Sequence, residues 1–231
     1  MKKFLQAFIA VRNLLNNPED TEQVFKVTGN LRGKTAEKLY ERLRLTEVGR
    51  ETIAGQRNLA ETLSNREELR KLPTGSLGRT YFDFTEEEQL TPDGLITASR
   101  KVMEAIQDER LRRVIARQID SHDLWHVLTA YGREPLGEAC LLAFTHVQTG
   151  NPGILFLLIM SLRKLSRGYG MGALKLLLGA RRAGKGATWL PPIDWEAKLA
   201  EPLESIRQEL DIEAPNAYKS HLTQFELATA S

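Results

Sequence analysis

Two of the chain's four histidines, His122 and His126, fall in the pentapeptide HDLWH, with Asp123 between them. On a helix turning about 100° per residue the two rings point about 40° apart and one turn above each other, which lets both imidazoles reach one metal ion. Leu111, Ile115, Ile119, His122 and His126 follow at steps of 4, 4, 3 and 4. The imidazoles therefore continue an apolar stripe and are expected to point inward. A buried imidazole needs a partner, and a divalent metal supplies one if further oxygen or nitrogen ligands converge. Glu138 follows His126 by twelve residues, beyond the break YGREPLG. Were the helix continuous, Glu138 would stand about 24 Å from His122. Gly132 and Pro135 should instead stop one helix and start another, so that a tight turn returns the carboxylate. Near the N-terminus of the second helix the macrodipole favours its ionised form. His122, Asp123, His126 and Glu138 thus make a mixed nitrogen and oxygen site suited to zinc or another divalent first-row metal. A core histidine pair satisfied by its neighbours is the competing reading of the same spacing.

Two other chemistries use similar strings. A zinc protease motif, HExxH, would need Glu where Asp123 stands, and the shorter side chain misplaces the general base. A histidine–aspartate phosphohydrolase would need a further His and Asp from distant helices, and only His146 and His221 remain.

The elements that must carry these residues read as helices. No extended Val/Ile/Thr alternation appears, whereas apolar residues recur at three- and four-residue steps between Gly, Pro and Asn breaks. Helices are expected at 2–16, 21–27, 35–45, 56–63, 67–72, 95–107, 109–131, 135–148, 154–168, a short one near Leu174, and 195–210. The connection Pro73 to Asp93 is rich in Pro, Gly, Ser and Thr yet too ordered for a linker. The expectation is an all-α, single-domain helical bundle of roughly ten helices spanning residues 1–231. Its 231 residues, 42% hydrophobic and 27% charged, suffice for a proper core. With 32 Lys plus Arg against 30 Asp plus Glu, the chain lacks the basic excess of a dedicated nucleic-acid binder, and no nucleic-acid partner is expected. The single cysteine, Cys140, excludes an intramolecular disulfide and any thiolate-rich metal site, and fits a reducing compartment.

The longest uninterrupted apolar run, Ile154 to Met160, has seven residues, far short of the roughly 18 that a membrane span needs. At the start, Lys2 and Lys3 precede Phe4, Leu5, Phe8, Ile9, Leu14 and Leu15, an amphipathic stripe that could pack on the core or lie on a membrane; packing is the expected use. Between Ala139 and Ile193 there is no Asp or Glu, while Arg163, Lys164, Arg167, Lys175, Arg181, Arg182 and Lys185 supply seven positive charges. An apolar face with a cationic rim suits an interfacial helix on anionic lipid, where each nearby cation adds about 1 kcal/mol. A buried helix pair whose long cationic side chains reach back to water is the alternative.

HDxxH followed after eleven residues by Glu resembles the signature of the coenzyme Q biosynthesis protein 4 family. LPTGSLGRTYFDF, from Leu72 to Phe84, and WLPPIDWE, from Trp189 to Glu196, also look like that family. The chain lacks the targeting extension of mitochondrial members and so resembles a bacterial-type member, expected in the cytoplasm and peripheral on the inner membrane face. The resemblance implies an all-helical fold and a zinc-type metal held by His122, Asp123, His126 and Glu138. It also implies a lyase role in making prenylated quinones, by removing the ring carboxylate of a polyprenyl-hydroxybenzoate intermediate. The alternative is a non-catalytic lipid-binding scaffold that organises other quinone-biosynthesis enzymes. Such a metal would act as a Lewis acid as carbon dioxide leaves, and it would need an open coordination position. Arg133 and Glu134, in the turn beside the ligands, are candidates to orient substrate or shuttle a proton, or else form a solvated ion pair. Tyr81, in the glycine-containing loop, is a further catalytic candidate, while Gly75 and Gly78 permit a tight backbone path. The isoprenoid tail needs an apolar groove, whose expected wall is Ile154 to Leu178. Exposed apolar helix surface makes a homodimer reasonable.

Overall fold

A computed structural model describes residues 2–17, 20–90 and 92–229 of the chain. In chain order the helices are α1 (Lys2–Asn16), α2 (Thr21–Leu31), α3 (Thr35–Leu43), α4 (Glu47–Ala54), α5 (Leu59–Ser64), α6 (Arg66–Lys71), α7 (Leu77–Glu87), α8 (Pro92–Glu104), α9 (Glu109–Asp120), α10 (His122–Thr129), α11 (Pro135–Thr149), α12 (Pro152–Tyr169), α13 (Gly172–Gly186), α14 (Trp195–Lys198), α15 (Leu203–Glu209) and α16 (Asn216–Thr229). The described residues form no strand, and one isolated bridge joins Ser76 to Pro202. The expected all-α class is found, with more helices than the ten or so expected.

Part of the excess comes from periodic stretches that are cut. The expected helix 109–131 is interrupted at Ser121, whose hydroxyl donates to the Arg117 carbonyl at 2.6 Å, a back-bond that bends helices. The expected helix 195–210 is cut at Pro202, which has no N–H to continue the ladder. The carbonyls released there are taken up elsewhere: Leu77 N–H donates to Glu201 and Gly78 N–H to Leu199 at 3.0 and 2.8 Å. A Cβ on Gly78 would lie 3.0 Å from that Leu199 oxygen and 2.4 Å from Leu72, so glycine is needed for the approach. The stretch LPTGSLGRTYFDF is thus joined to the chain just beyond WLPPIDWE, far away in sequence.

The rest of the excess comes from helices the pattern hid. The expected loop around Tyr81 is α7, capped by the Ser76 hydroxyl, which accepts from Arg79 N–H at 3.2 Å. Tyr81 is therefore a buried helical residue, 2% exposed, and not a loop residue. α4 is capped by Thr46 in the same way. The short helix expected near Leu174 extends through Gly186 as α13, which packs closely on α11: a Cβ on Gly184 would lie 2.8 Å from the Phe144 carbonyl. α16, absent from the expectation, buries Tyr218 and packs Leu222 on the core.

The main core gathers around α10 and α11, where Leu124, Leu128, Leu136, Leu141 and Phe144 are essentially inaccessible, with Trp195 and Ile206 closing it from the other side. Arg117, 3% exposed, ties the end of α9 to α14 through a bidentate pair with Glu196, both contacts at 2.8 Å, and a bond to the Ile193 carbonyl at 2.9 Å. At the other edge α1 corrects an expectation. Ala7, Ala10 and Val11 face the core, whereas Phe4, Leu5, Phe8 and Ile9 are 58, 60, 47 and 50% exposed. Of the large residues of the stripe these four point outward, whereas Leu14 is half-buried and packs on the core; Leu15 lies outside the described side chains.

Candidate metal centre

α10 is buried along nearly its whole length, from Asp123 to Thr129, and it carries both imidazoles. Their ring centroids lie 4.9 Å apart, edge to face. His126 is 1% exposed and stacks beneath Phe84 of α7, centroids 5.8 Å apart and planes inclined by 26°. Its Nδ1 lies 2.9 Å from the Tyr131 carbonyl. A carbonyl only accepts, so Nδ1 carries the hydrogen and Nε2 of the neutral ring is a bare lone pair. That Nε2 is buried without a hydrogen-bond partner and faces Glu138 Oε1 at 3.4 Å. His122, half-buried, has Nδ1 3.2 Å from Asp123 Oδ1 and Nε2 3.9 Å from Glu138 Oε2. One nitrogen or carboxylate atom from each of His122, Asp123 and His126 lies within 4.8 Å of the others, the one such group among the described residues. Glu138 closes the arrangement from the facing helix.

The turn between α10 and α11 is what brings Glu138 back. α10 ends at Ala130, which takes a left-handed conformation with φ 53°. Glu134 then caps α11, accepting from Gly137 N–H at 2.7 Å, and Pro135 occupies the first helical position, where a missing N–H costs nothing. Arg207 of α15 holds the other side, donating from Nε to the Leu128 carbonyl and from a terminal nitrogen to Val127, both at 2.8 Å. A cation on the last carbonyls of α10 also suits its macrodipole.

The electrostatics follow from this packing. Burial works to raise the pKa of Glu138, but the two imidazoles and Arg133 outweigh it and hold the carboxyl below its ordinary range. For Asp123 burial is likewise overcome, chiefly by His122. Burial lowers His122, yet Asp123 and Glu138 prevail and its pKa is raised. The site therefore gathers two carboxylates, each favoured in its ionised form, and two imidazoles on one spot. Without a cation, the bare Nε2 of His126 and a carboxylate oxygen would face each other as two acceptors. The donor set, two nitrogens and carboxylate oxygens, fits a borderline divalent ion such as zinc, and an orphaned buried nitrogen aimed at the cluster is what such an ion satisfies. The bond from His126 to the Tyr131 carbonyl is the outer-shell contact that fixes a metal-binding tautomer.

The three candidates beside the ligands divide. Arg133 lies at the rim, 3.8 Å from Glu138 and 3.8 Å from Glu88, which follows α7. Its ionic partners are those two, and the expected pair with Glu134 does not form. Glu134 is committed to the cap and also accepts from the Tyr218 hydroxyl at 2.7 Å, so it is no free carboxylate. We expect Glu134→Ala to cost about 1–2 kcal/mol, the usual loss of a cap. Glu134→Gln, whose amide oxygen still accepts both bonds, should cost less than half of that, and urea midpoints of the two variants check it. Tyr81 holds its proton well above neutrality, because of burial and then the charge of Asp123. It can therefore give a hydrogen bond but not act as a base.

Phe84, Tyr131, Arg207 and Tyr218 were not expected at the site. Phe84 alone left a signal, standing three residues after Tyr81 on one face of α7. His146 and His221 are engaged elsewhere, with the carbonyls of Asn151 and Tyr169, which removes the phosphohydrolase alternative.

Fold and site together define an all-α protein with a two-histidine, two-carboxylate cluster at a helix–turn–helix. The sequence model of the coenzyme Q (ubiquinone) biosynthesis protein Coq4 family matches residues 1–216. A zebrafish (Danio rerio) mitochondrial ubiquinone biosynthesis protein COQ4 homolog is 30% identical over 210 residues, 87% of this chain and 73% of its own. The human counterpart is 28% identical, over 93% of this chain and 80% of its own. A crystal structure of a Nostoc punctiforme protein, described in terms of ubiquinone biosynthesis, shares the fold with a TM-score of 0.62 at 19% identity, covering 89% of this chain and 96% of that one. The chain belongs to the Coq4 family of ubiquinone biosynthesis proteins.

Proposed function

We propose that this chain is a metal-dependent lyase of ubiquinone-type biosynthesis, which removes the ring carboxylate of a polyprenyl-hydroxybenzoate intermediate at a membrane surface. The observation that carries the reading is the bare, buried Nε2 of His126 set 3.4 Å from Glu138. His122, Asp123, His126 and Glu138 would hold zinc or another divalent first-row ion. When bound, that ion supplies Lewis-acid stabilisation of the charge that develops on the substrate oxygens. Arg133, at the rim, binds and orients the aryl carboxylate. As the bond from ring to carboxylate breaks, the electron pair stays on the ring carbon, which takes a proton while carbon dioxide leaves. Tyr81, which keeps its hydroxyl hydrogen and feels the charge of Asp123, is available to donate a hydrogen bond to substrate, and Phe84 shields His126 from water.

The tail and the membrane have a separate support. Phe4, Leu5, Phe8 and Ile9 of α1 are exposed, as are Leu155 and Ile159 of α12, and the rings of Phe4 and Phe156 join the two helices at 5.6 Å. Arg163 and Arg167 of α12 and Lys175, Arg181, Arg182 and Lys185 of α13 are exposed too. No helix among the described residues is long and apolar enough to cross a membrane. Such a face suits peripheral attachment to anionic lipid and contact with an isoprenoid chain; a second copy of the chain is the competing occupant. Because this face does not depend on the metal, it also favours a second reading, a lipid-binding scaffold for the other quinone-biosynthesis enzymes.

Chelator treatment separates the two. The lyase is expected to release carbon dioxide from a synthetic polyprenyl-hydroxybenzoate, to stop when stripped of metal and to resume when zinc is restored, with vesicle binding constant throughout. Undiminished turnover in protein shown metal-free by elemental analysis would sink the lyase reading. Vesicle binding with no turnover in the metal-loaded protein would leave the scaffold.

A further inference from the structure

We propose that Tyr218, on the last helix and beyond the region matched by the family, is a positioning residue for the metal centre. The inference rests on the metal-centre reading and names a residue that governs it from outside. Tyr218 is 3% exposed, and its hydroxyl has two partners, both in the α10–α11 turn. It accepts from Gly132 N–H at 2.8 Å and donates to Glu134 at 2.7 Å. Its ring meets that of Tyr131 edge to face at 5.2 Å.

These contacts reach both arms of the site. The Gly132 N–H and the Tyr131 carbonyl belong to one planar peptide unit. The carbonyl side of that unit accepts from His126 Nδ1, and the N–H side is held by Tyr218. Rotation of this plane would turn the carbonyl away from His126 and release the ring from the tautomer that leaves Nε2 bare. Through Glu134 the same hydroxyl grips the cap of α11, whose first turn carries Glu138. One oxygen thus fixes the imidazole and the carboxylate that face each other across 3.4 Å. Phenylalanine would keep the ring and lose both bonds.

His221 provides the control, because it anchors the same helix elsewhere: its Nε2 contacts the Tyr169 carbonyl at 2.8 Å and its ring covers Gly172. His221→Ala therefore loosens α16 without touching the turn. The test measures zinc affinity by chelator competition, and the visible spectrum of the cobalt-substituted protein, in the full chain. Loss of an outer-shell partner weakens metal binding about 10–100-fold. Tyr218→Phe is expected to fall in that range, with an altered cobalt spectrum, while His221→Ala keeps both near wild type. Equal affinities and superimposable spectra for wild type and Tyr218→Phe overturn the proposal, as do equal losses in the two variants. A wild-type protein that takes up neither ion overturns the metal-centre reading and the positioning role with it. Should Tyr218→Phe fail to fold, the wild type alone decides. Coupling is reciprocal, so zinc must slow hydrogen exchange of the peptide containing Gly132, and exchange unchanged by zinc overturns the proposal.

Discussion

Replacing His126 by Ala is expected to lower zinc affinity by at least about a thousandfold and to abolish turnover. Outer-shell losses already cost about 10–100-fold, and His126 is the ring whose nitrogen is both bare and wholly buried. Truncation also removes the stack on Phe84 and opens a cavity costing about 2–4 kcal/mol. His126→Gln, which retains most of the volume, separates the two effects: it should stay folded and still fail to hold the ion. Glu138→Gln should behave similarly, since its carboxylate is partly exposed and its loss leaves a neutral amide beside the two rings. Isothermal titration with zinc, beside thermal unfolding in chelator, reads both quantities. Wild-type affinity in either glutamine variant would mean that the cluster is only a satisfied polar core.

Gly137→Ala should destabilise the protein by about 3 kcal/mol or more, against the usual sign of the change. In a helix, glycine to alanine ordinarily gains up to about 1 kcal/mol. Here the added Cβ would lie 2.2 Å from the Gly132 carbonyl oxygen, 2.7 Å from its carbon and 2.6 Å from the Tyr218 hydroxyl. The first two are backbone atoms and cannot swing aside, so overpacking wins over propensity. Glu138 is the next residue, and metal uptake should fall with stability. Gly179→Ala, on α13 where nothing lies within 4 Å of the added atom, is the matched control and should be neutral or stabilising. Denaturant midpoints of the pair decide it: a Gly137→Ala protein as stable as Gly179→Ala would mean that the turn is looser than these distances require.

The convergence of His122, Asp123, His126 and Glu138 could be read in the sequence because side-chain identity and helical period carry it. The steps from Leu111 to His126 point both rings inward, and Gly132 with Pro135 announces the return that brings Glu138 back. What holds the ligands was much less legible. The group that orients His126 is the Tyr131 carbonyl, a backbone atom with no residue type to betray it. Arg207 and Tyr218 act across long loops, and nothing in local spacing links them to α10. α7 was hidden because Pro73, Gly75, Ser76 and Gly78 read as loop, although Leu77, Tyr81 and Thr85 keep a four-residue step and are buried. On α1 the period was right and the direction wrong: alanines and a valine pack inward while larger side chains face out, a choice that amphipathicity alone does not make.

The partners of the metal helix and its approach arrive late. Arg207 follows Val127 by 80 residues, Glu196 follows Arg117 by 79, and Tyr218 follows Gly132 by 86. A ribosome adding about 5–20 residues per second therefore makes the histidine pair several seconds before the groups that hold it. In small zinc domains the ion drives folding of an otherwise unfolded chain. Under the proposed metal-centre reading the order would be reversed: the polypeptide would finish and close three long loops first, and the ion would enter a pocket already assembled.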